Sequence, residues 1–231
     1  MYPSRRTAAA MMERLLISGH NNRKIGKKVT KGPWAGMPIY TLTLEERATC
    51  PTTCHMWRDC YGNNMHWPRR IKHGAELEGL LTIEVAQFAE AHPQGFVVRL
   101  HVLGDFYSGT YVDLWHKLLN RHPELHVYGY TARGRLTGMG RMIELMNLAH
   151  PERCAIRFST DTVWGEGGGM DAIVAGGGLK VVAEVFKDHP HIVCPVDTDK
   201  TACCATCGLC WSPAARDKTI VFMKHGRGLD R

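Results

Sequence analysis

Alternation is the feature that most limits how this chain can fold. Short apolar runs with strand character lie at residues 39–44, 96–103, 126–131, 154–159, 191–195 and 219–223. Stretches of helical length separate them. Residues 75–91 carry Leu77, Leu81, Val85 and Phe88 on one stripe, the period of an amphipathic helix. Ser108 is placed as an N-cap for a helix running to residue 121, with Leu114 and Leu118 turned inward. Further helices are expected over 141–150 and 179–188. Strands that alternate with helices of this length argue for a parallel sheet with right-handed crossovers. Neither G-x-G-x-x-G after a strand nor GxxxxGK[ST] occurs, so no phosphate loop is expected. The glycines at 165–169 and 176–178 read as an interruption. The expected fold is therefore α/β, a partial (βα) TIM-like barrel of about six parallel strands with cysteine-rich loops at its C-terminal rim.

The chain has 231 residues, enough for one large α/β domain. Its net charge of +7 is unevenly spread. Residues 1–31 hold eight Lys and Arg against the single acid Glu13, so the remainder is neutral. The expected division is a basic N-terminal arm, 1–31, and a single α/β iron–sulfur domain, 32–231. The arm reads as a solvated, partly disordered extension, helical over 7–17, and its charge makes it the candidate contact for nucleic acid. Ser4-Arg5-Arg6 opens like a twin-arginine signal, but Glu13 and Arg14 break the apolar stretch behind it. No apolar run approaches the length of a membrane span. The expectation is a cytoplasmic protein without membrane contact.

Nine cysteines are present, and most fall in two knots. Knot one is Cys50, Cys54 and Cys60, spaced C-x3-C-x5-C. Knot two is Cys203, Cys204, Cys207 and Cys210, containing C-x2-C-x2-C. Without an export signal, clustered cysteines point to metal or redox chemistry rather than to disulfides. An all-thiolate set suits zinc or iron–sulfur. Two-residue gaps let neighbouring thiolates cap different irons of a cube. An iron–sulfur cluster, [4Fe–4S] in its simplest form, is therefore expected, with zinc as the alternative.

In parallel α/β folds the loops after the strands gather on one face. That rule puts Cys50 to Cys60, Asp105, Thr131, Arg133, Ser159, Asp161, Cys194 and knot two on one rim. The expected metal ligands are Cys50, Cys54, Cys60, Cys194, Cys204, Cys207 and Cys210, shared by one cluster or divided between two. Asp105 and Arg133 are candidate cofactor-binding residues. For Asp105 the alternative is a carboxylate that satisfies amides ahead of the helix after Ser108. Cys154 begins its strand and is expected to be a small buried hydrophobe. The histidines are scattered, and only His55 and His66 lie near knot one. Trp57, Tyr61 and Trp211 flank the cysteines as shielding or packing aromatics.

Several of these motifs resemble those of the gene-product-88-like family of bacteriophage proteins. They are Thr49-Cys50-Pro51-Thr52-Thr53-Cys54 to Cys60-Tyr61-Gly62, Gly104-Asp105-Phe106-Tyr107-Ser108 to Tyr111-Val112-Asp113-Leu114-Trp115, Tyr128-Gly129-Tyr130-Thr131, and Cys207-Gly208-Leu209-Cys210-Trp211. The resemblance implies a phage or prophage origin more than an activity. In architecture the chain is also similar to radical SAM enzymes, where three cysteines after the first barrel strand hold a [4Fe–4S] cluster completed by SAM. Cys50, Cys54 and Cys60 occupy the corresponding place, and Gly104-Asp105 falls near that superfamily's methionine-binding loop. The second gap here is five residues instead of two, Asp59 precedes the third cysteine, and no Gly-Gly-Glu follows. The expected function is a phage-type iron–sulfur protein for electron transfer or redox sensing, or a degenerate radical-SAM-like scaffold, with a redox partner. The alternatives are a true radical SAM enzyme and a zinc-stabilised nucleic-acid-binding protein.

Overall fold

The computed structural model describes residues 14–65, 68–160 and 169–224. Every apolar run named above becomes a strand, and two more join them. The strands are β1 (Ile17–Ser18), β2 (Ile39–Thr41), β3 (Phe96–Leu100), β4 (Leu125–Thr131), β5 (Cys154–Thr160), β6 (Asp171–Ala175), β7 (His191–Val193) and β8 (Thr219–Met223). They form one sheet in the order 1-2-3-4-5-6-8-7. β1 runs antiparallel to β2, and all other pairings are parallel. The sheet is open, with β1 and β7 at its edges. The chain is thus α/β with a mostly parallel sheet, and no closed barrel forms among the described residues.

Single turns α1 (Glu46–Thr49) and α6 (Cys204–Cys207) lie within the cysteine segments. The longer helices are α2 (Ala75–Ala91), α3 (Gly109–Arg121), α4 (Gly138–Ala149) and α5 (Gly178–Val185). Ser108 caps α3 by accepting from the Tyr111 amide at 3.1 Å, as its side-chain chemistry dictates. Thr137 does the same for α4 through the Gly140 amide at 3.1 Å. This starts α4 ahead of the expected residue 141. Position 140 within the helix requires glycine, because an added Cβ would fall 2.1 Å from the Gly134 carbonyl oxygen.

Side chains alternate between the two faces of the sheet. On one face, α2, α3 and α4 bury Leu81, Phe88, Trp115, Leu118 and Met146 against Val98, Leu100, Val127 and Ile156. α5 and the residue that ends it add Val182 and Phe186 over Ile173 and Val221. Phe158 on the helix face pairs with Asp171, and Ile173 stands two residues further on. All four longer helices therefore cover the same face. The other face presents Ile39, Val97, Tyr128, Ala155 and Ile220, and irregular chain covers it: Ile25, Val29 and Trp34 from the N-terminal segment, with Cys194, Ala205, Cys210 and Trp211.

Two expectations are corrected. β6 had read as part of a glycine-rich interruption. It is a strand because its short apolar core is buried between β5 and β8. The described part of the arm, 14–31, is not a solvated extension. Leu15 and Leu16 are buried on the helix face, and their amides donate to the buried Glu84 carboxylate at 2.8 and 3.3 Å. Ile17 is a strand residue, so the expected helix does not hold over 14–17, and 7–13 lie outside the described residues. An open sheet edge needs a partner, and Ile17–Ser18 supplies one to β2. Arg23, Lys24, Lys27, Lys28 and Lys31 remain exposed. Among the described residues no helix is long and apolar enough to cross a membrane.

Candidate functional site: two cysteine knots

Knot one follows β2 and is built around a buried ion pair. Arg70 reaches the Glu46 carboxylate through Nε and Nη2 at 2.7 and 2.9 Å. The same guanidinium donates to the carbonyls of Gly62 and Met65 at 3.0 and 3.1 Å. Arg47 staples the loop from the other side. It donates to the Trp57 carbonyl and to Asn63 Oδ1, and lies over the Trp57 ring at 4.6 Å. Gly62 closes against the site: a Cβ there would sit 2.9 Å from Glu46 Oε1 and 3.3 Å from Cys60 Sγ. Tyr61 keeps its ring largely exposed and turns its hydroxyl onto the Val102 carbonyl.

Asp105 joins this loop to the ends of β3 and β4. Its Oδ1 accepts from Thr131 Oγ1 and from the Phe106 amide, and its Oδ2 from the Ala132 amide, each at 2.7 Å. Its own amide donates to Thr49 Oγ1 at 3.2 Å. Arg133 donates to the carbonyls of Phe106 at 2.8 Å and Thr49 at 2.6 Å. The two candidate cofactor residues therefore stitch three loops into one rim. Burial lifts the Asp105 carboxyl to about 6, against the pull of its donors and of Arg133. Burial also pushes the Cys50 thiol far up, and Asp105, Cys54, Cys60 and Glu46 push it further. Cys54 is raised by burial too, with Asp105 and Cys60 adding to it. Beside the knot opens a cavity of about 170 Å³, lined among others by Thr53, His55, Arg133, Ser159 and Asp171.

Knot two does not lie on that rim, as the strand-end rule had it. It crosses the sheet face opposite the helices. Backbone pairing to the N-terminal segment holds it there. The amides of Cys204 and Ala205 donate to the Lys24 and Ile25 carbonyls at 2.8 and 2.9 Å, and the Thr30 amide donates to Ala205 at 3.0 Å. Trp211 stacks on Trp34 with ring centroids 5.1 Å apart and also meets Tyr128. Cys194, just past β7, donates its amide to the Val221 carbonyl at 2.8 Å.

The thiols of knot two act on one another electrostatically, and Cys194 belongs with them. Burial pushes Cys204 far up, followed by Cys210, with Cys194 and Cys207 adding to it. Burial lifts Cys194 to about 11, helped by Asp197 and Cys210. Cys210 is raised by burial while Arg157 opposes the shift.

Around these thiols stand groups that cysteine spacing does not assign to a site. The Tyr130 hydroxyl donates to Cys210 Sγ at 2.8 Å. The Arg99 guanidinium lies over the Tyr130 and Tyr128 rings at 4.5 and 5.5 Å. Arg157 is wholly buried and donates only to carbonyls: Cys210 and Lys218 at 3.0 Å, Ala215 at 2.7 Å and Asp171 at 3.4 Å. Neither arginine pairs with a carboxylate among the described residues. The sheet register creates the group, setting Arg99 beside Tyr128 and Tyr130 beside Arg157. Charged residues inside otherwise apolar strands were the available signal.

All nine cysteines are free thiols. Among the described residues, no three His, Cys, Asp or Glu side chains converge as ligands of a single ion. Cys154 is buried on the helix face, with its thiol donating to Asn147 Oδ1 at 3.2 Å, and burial lifts it to about 12. That is the packing role expected of it. His66 and Asp161 lie outside the described residues.

No curated protein and no solved structure matches the chain. The family profile described as Gene product 88 matches residues 14–213. That span contains both knots, Asp105 and the arginine–tyrosine group, and the chain belongs to the gene product 88 family.

Proposed function

We propose that the chain is an iron–sulfur protein of redox function, with Cys194, Cys204, Cys207 and Cys210 as the thiolates of a [4Fe–4S] centre. One observation carries this reading: Arg99 acts on Cys204 and Cys210, and Arg157 on Cys210, two cations that pair with no carboxylate among the described residues. A buried charge without a counter-charge is costly. Deprotonated, metal-bound thiolates would supply the missing anion. The neutral thiols of Cys194, Cys204 and Cys210 are raised by burial, so metal binding would have to expel their protons. When bound, the cluster supplies one-electron chemistry. The chain's residues would do the rest. Tyr130 donates to a ligand sulfur, Arg99 and Arg157 offset negative charge, and the Trp34–Trp211 stack keeps water away. Donors and cations of this kind favour the reduced state of a cluster.

The covering of one sheet face by all four longer helices supports a partial-barrel winding. With the cavity beside the three cysteines that follow β2, it favours radical SAM chemistry as the second reading. The working partner we infer is an acidic one-electron carrier in the host cytoplasm. Arg23, Lys24, Lys27, Lys28 and Lys31 would receive it directly over knot two; nucleic acid is the competing occupant of that surface.

The decisive experiment is purification without oxygen followed by iron, sulfide and zinc analysis. The expected result is coloured protein with iron and acid-labile sulfide, and visible absorbance that bleaches on reduction. Colourless protein with stoichiometric zinc would overturn it. SAM cleavage by the reduced protein would move the assignment to the second reading.

A further inference from the structure

We propose that the open sheet edge at β7, with the apolar flank of α5 above it, is where two copies of this chain pair about a two-fold axis through Ile192. The inference does not depend on the iron–sulfur reading and holds for the protein with or without metal.

The register fixes which main-chain groups of β7 are already used. The Thr219 amide donates to the Pro190 carbonyl at 3.0 Å, and the Cys194 amide to the Val221 carbonyl at 2.8 Å. His191 lies beside Thr219 and Val193 beside Val221. In a parallel ladder of that register, Ile192 serves β8 with both its amide and its carbonyl. The amides and carbonyls of His191 and Val193 therefore point the other way, to the open edge. None of these four groups has a hydrogen-bond partner among the described residues. Such an edge is a template for another strand. The far side of the parallel sheet differs, because antiparallel β1 caps β2 there.

A second copy of β7 matches this edge group for group. Antiparallel pairing about Ile192 sets His191 opposite the partner's Val193, and Val193 opposite the partner's His191. Residues opposed in this way exchange both N–H···O bonds, so all four groups on each strand are satisfied. The next outward position is Pro195, which has no N–H, so the ladder stops where the self-match stops.

Charge permits the same partner. The exposed charges on α5 and the turn behind it are Lys180, Glu184, Lys187 and Asp188, which sum to zero. Two copies meet there without net repulsion, whereas the five exposed cations of residues 23–31 would oppose their own copies. α5 adds the apolar contact. Val182 and Phe186 face the sheet, and Val181 and Val185 border β6. Helical geometry then turns Leu179 and Ala183 toward β7. Both are exposed, Leu179 by 54%. The axis stands normal to the sheet, so the helices of both copies share one side and both knot-two faces share the other. A three-residue ladder and one helix flank bury less than the roughly 1,600 Å² of a standard complex. The dimer should therefore dissociate on dilution.

The test is sedimentation of the full-length protein over a range of concentrations, with hydrogen exchange at the His191 and Val193 amides. The expected result is a monomer–dimer equilibrium in which exchange at these amides slows in step with the dimer fraction. Leu179→Glu brings like charges together at the apolar flank and should shift the protein to monomer without changing its circular dichroism. Val193→Pro removes one outward amide and no bond to β8, and should do the same. If Val193→Pro fails to fold, Leu179→Glu and the wild-type exchange pattern still decide. A monomer at every concentration, with both amides open, would leave the edge to a foreign strand and overturn the proposal. A dimer that survives the substitutions would overturn it by placing the interface elsewhere. Amides protected equally at every dilution would do so too, by showing that another stretch of the same chain covers β7.

Discussion

Knot one and knot two hold the same ligand atom in different electrostatic settings. Burial raises thiols in both, so burial alone does not distinguish them. Their neighbours do. Knot one looks onto the carboxylates of Asp105 and Glu46, the second already bound to Arg70. Knot two looks onto Arg99 and Arg157 and receives the Tyr130 hydroxyl. Local charge and hydrogen bonds to sulfur set cluster potentials. The lesson is that cysteine spacing names a ligand set, while the side chains behind it decide how easily electrons arrive. A cluster at knot two should have a higher reduction potential than the same cluster placed at knot one.

The largest effect should come from Arg157→Met. It strips donors from four carbonyls in a buried site; at about 1–3 kcal/mol for each buried acceptor left unsatisfied, offset in part by removing a buried charge, the net loss should be about 3–5 kcal/mol. Urea unfolding of the metal-free chain measures it. Iron-loaded protein should lose more, because the anionic centre loses its cation as well. Equal losses in the two forms would break the contrast between the knots.

Arg70→Met should cost about 3 kcal/mol by leaving Glu46 buried and unpaired. Its effect should stay local, loosening knot one while the knot-two signal of the iron-loaded protein is unchanged. A change in that signal would show that the two knots are coupled.

Asp105 makes the contrast dependent on pH. Its folded value, about 6, lies above its ordinary value of 3.8. The folded state therefore holds this proton more tightly than the unfolded state does. The resulting stability is complete below the ordinary value and is lost as pH rises through about 6. The shift corresponds to about 2–3 kcal/mol. Unfolding of the metal-free chain between these limits should show that slope, and Asp105→Asn should remove it. A slope that survives in the variant would assign it to another group.

Tyr130→Phe is the smallest change. Loss of one hydrogen bond should cost about 1 kcal/mol. In the iron-loaded protein it should lower the knot-two potential, read by redox titration, and leave knot one alone. An unmoved knot-two potential would remove Tyr130 from the site.

Much of the fold was legible because its signals are local. The stripe Leu77, Leu81, Val85 and Phe88 marks α2, and Ser108 marks the start of α3, whatever surrounds them. β6 was not legible, since glycine on both sides hid a short strand that becomes one only between β5 and β8. The arm misled in another way. Its charge dominates the composition, but Leu15, Leu16, Ile25 and Val29 direct its packing. At the site, spacing named the cysteines of the two knots, and position at the strand ends picked out Cys194, Asp105 and Arg133. It could not show that Asp105 and Arg133 are occupied in holding loops together.

The sequence by itself determined the alternating α/β plan, the two cysteine clusters and the family, because periodicity, caps and spacing are properties of neighbouring residues. Only the tertiary structure decided that β8 enters between β6 and β7 and that knot two leaves the rim for the sheet face. It also decided that Arg99, Tyr128, Tyr130 and Arg157 stand behind the thiols. Those outcomes depend on strand order and register, which are set by long-range burial and backbone pairing rather than by neighbouring residues.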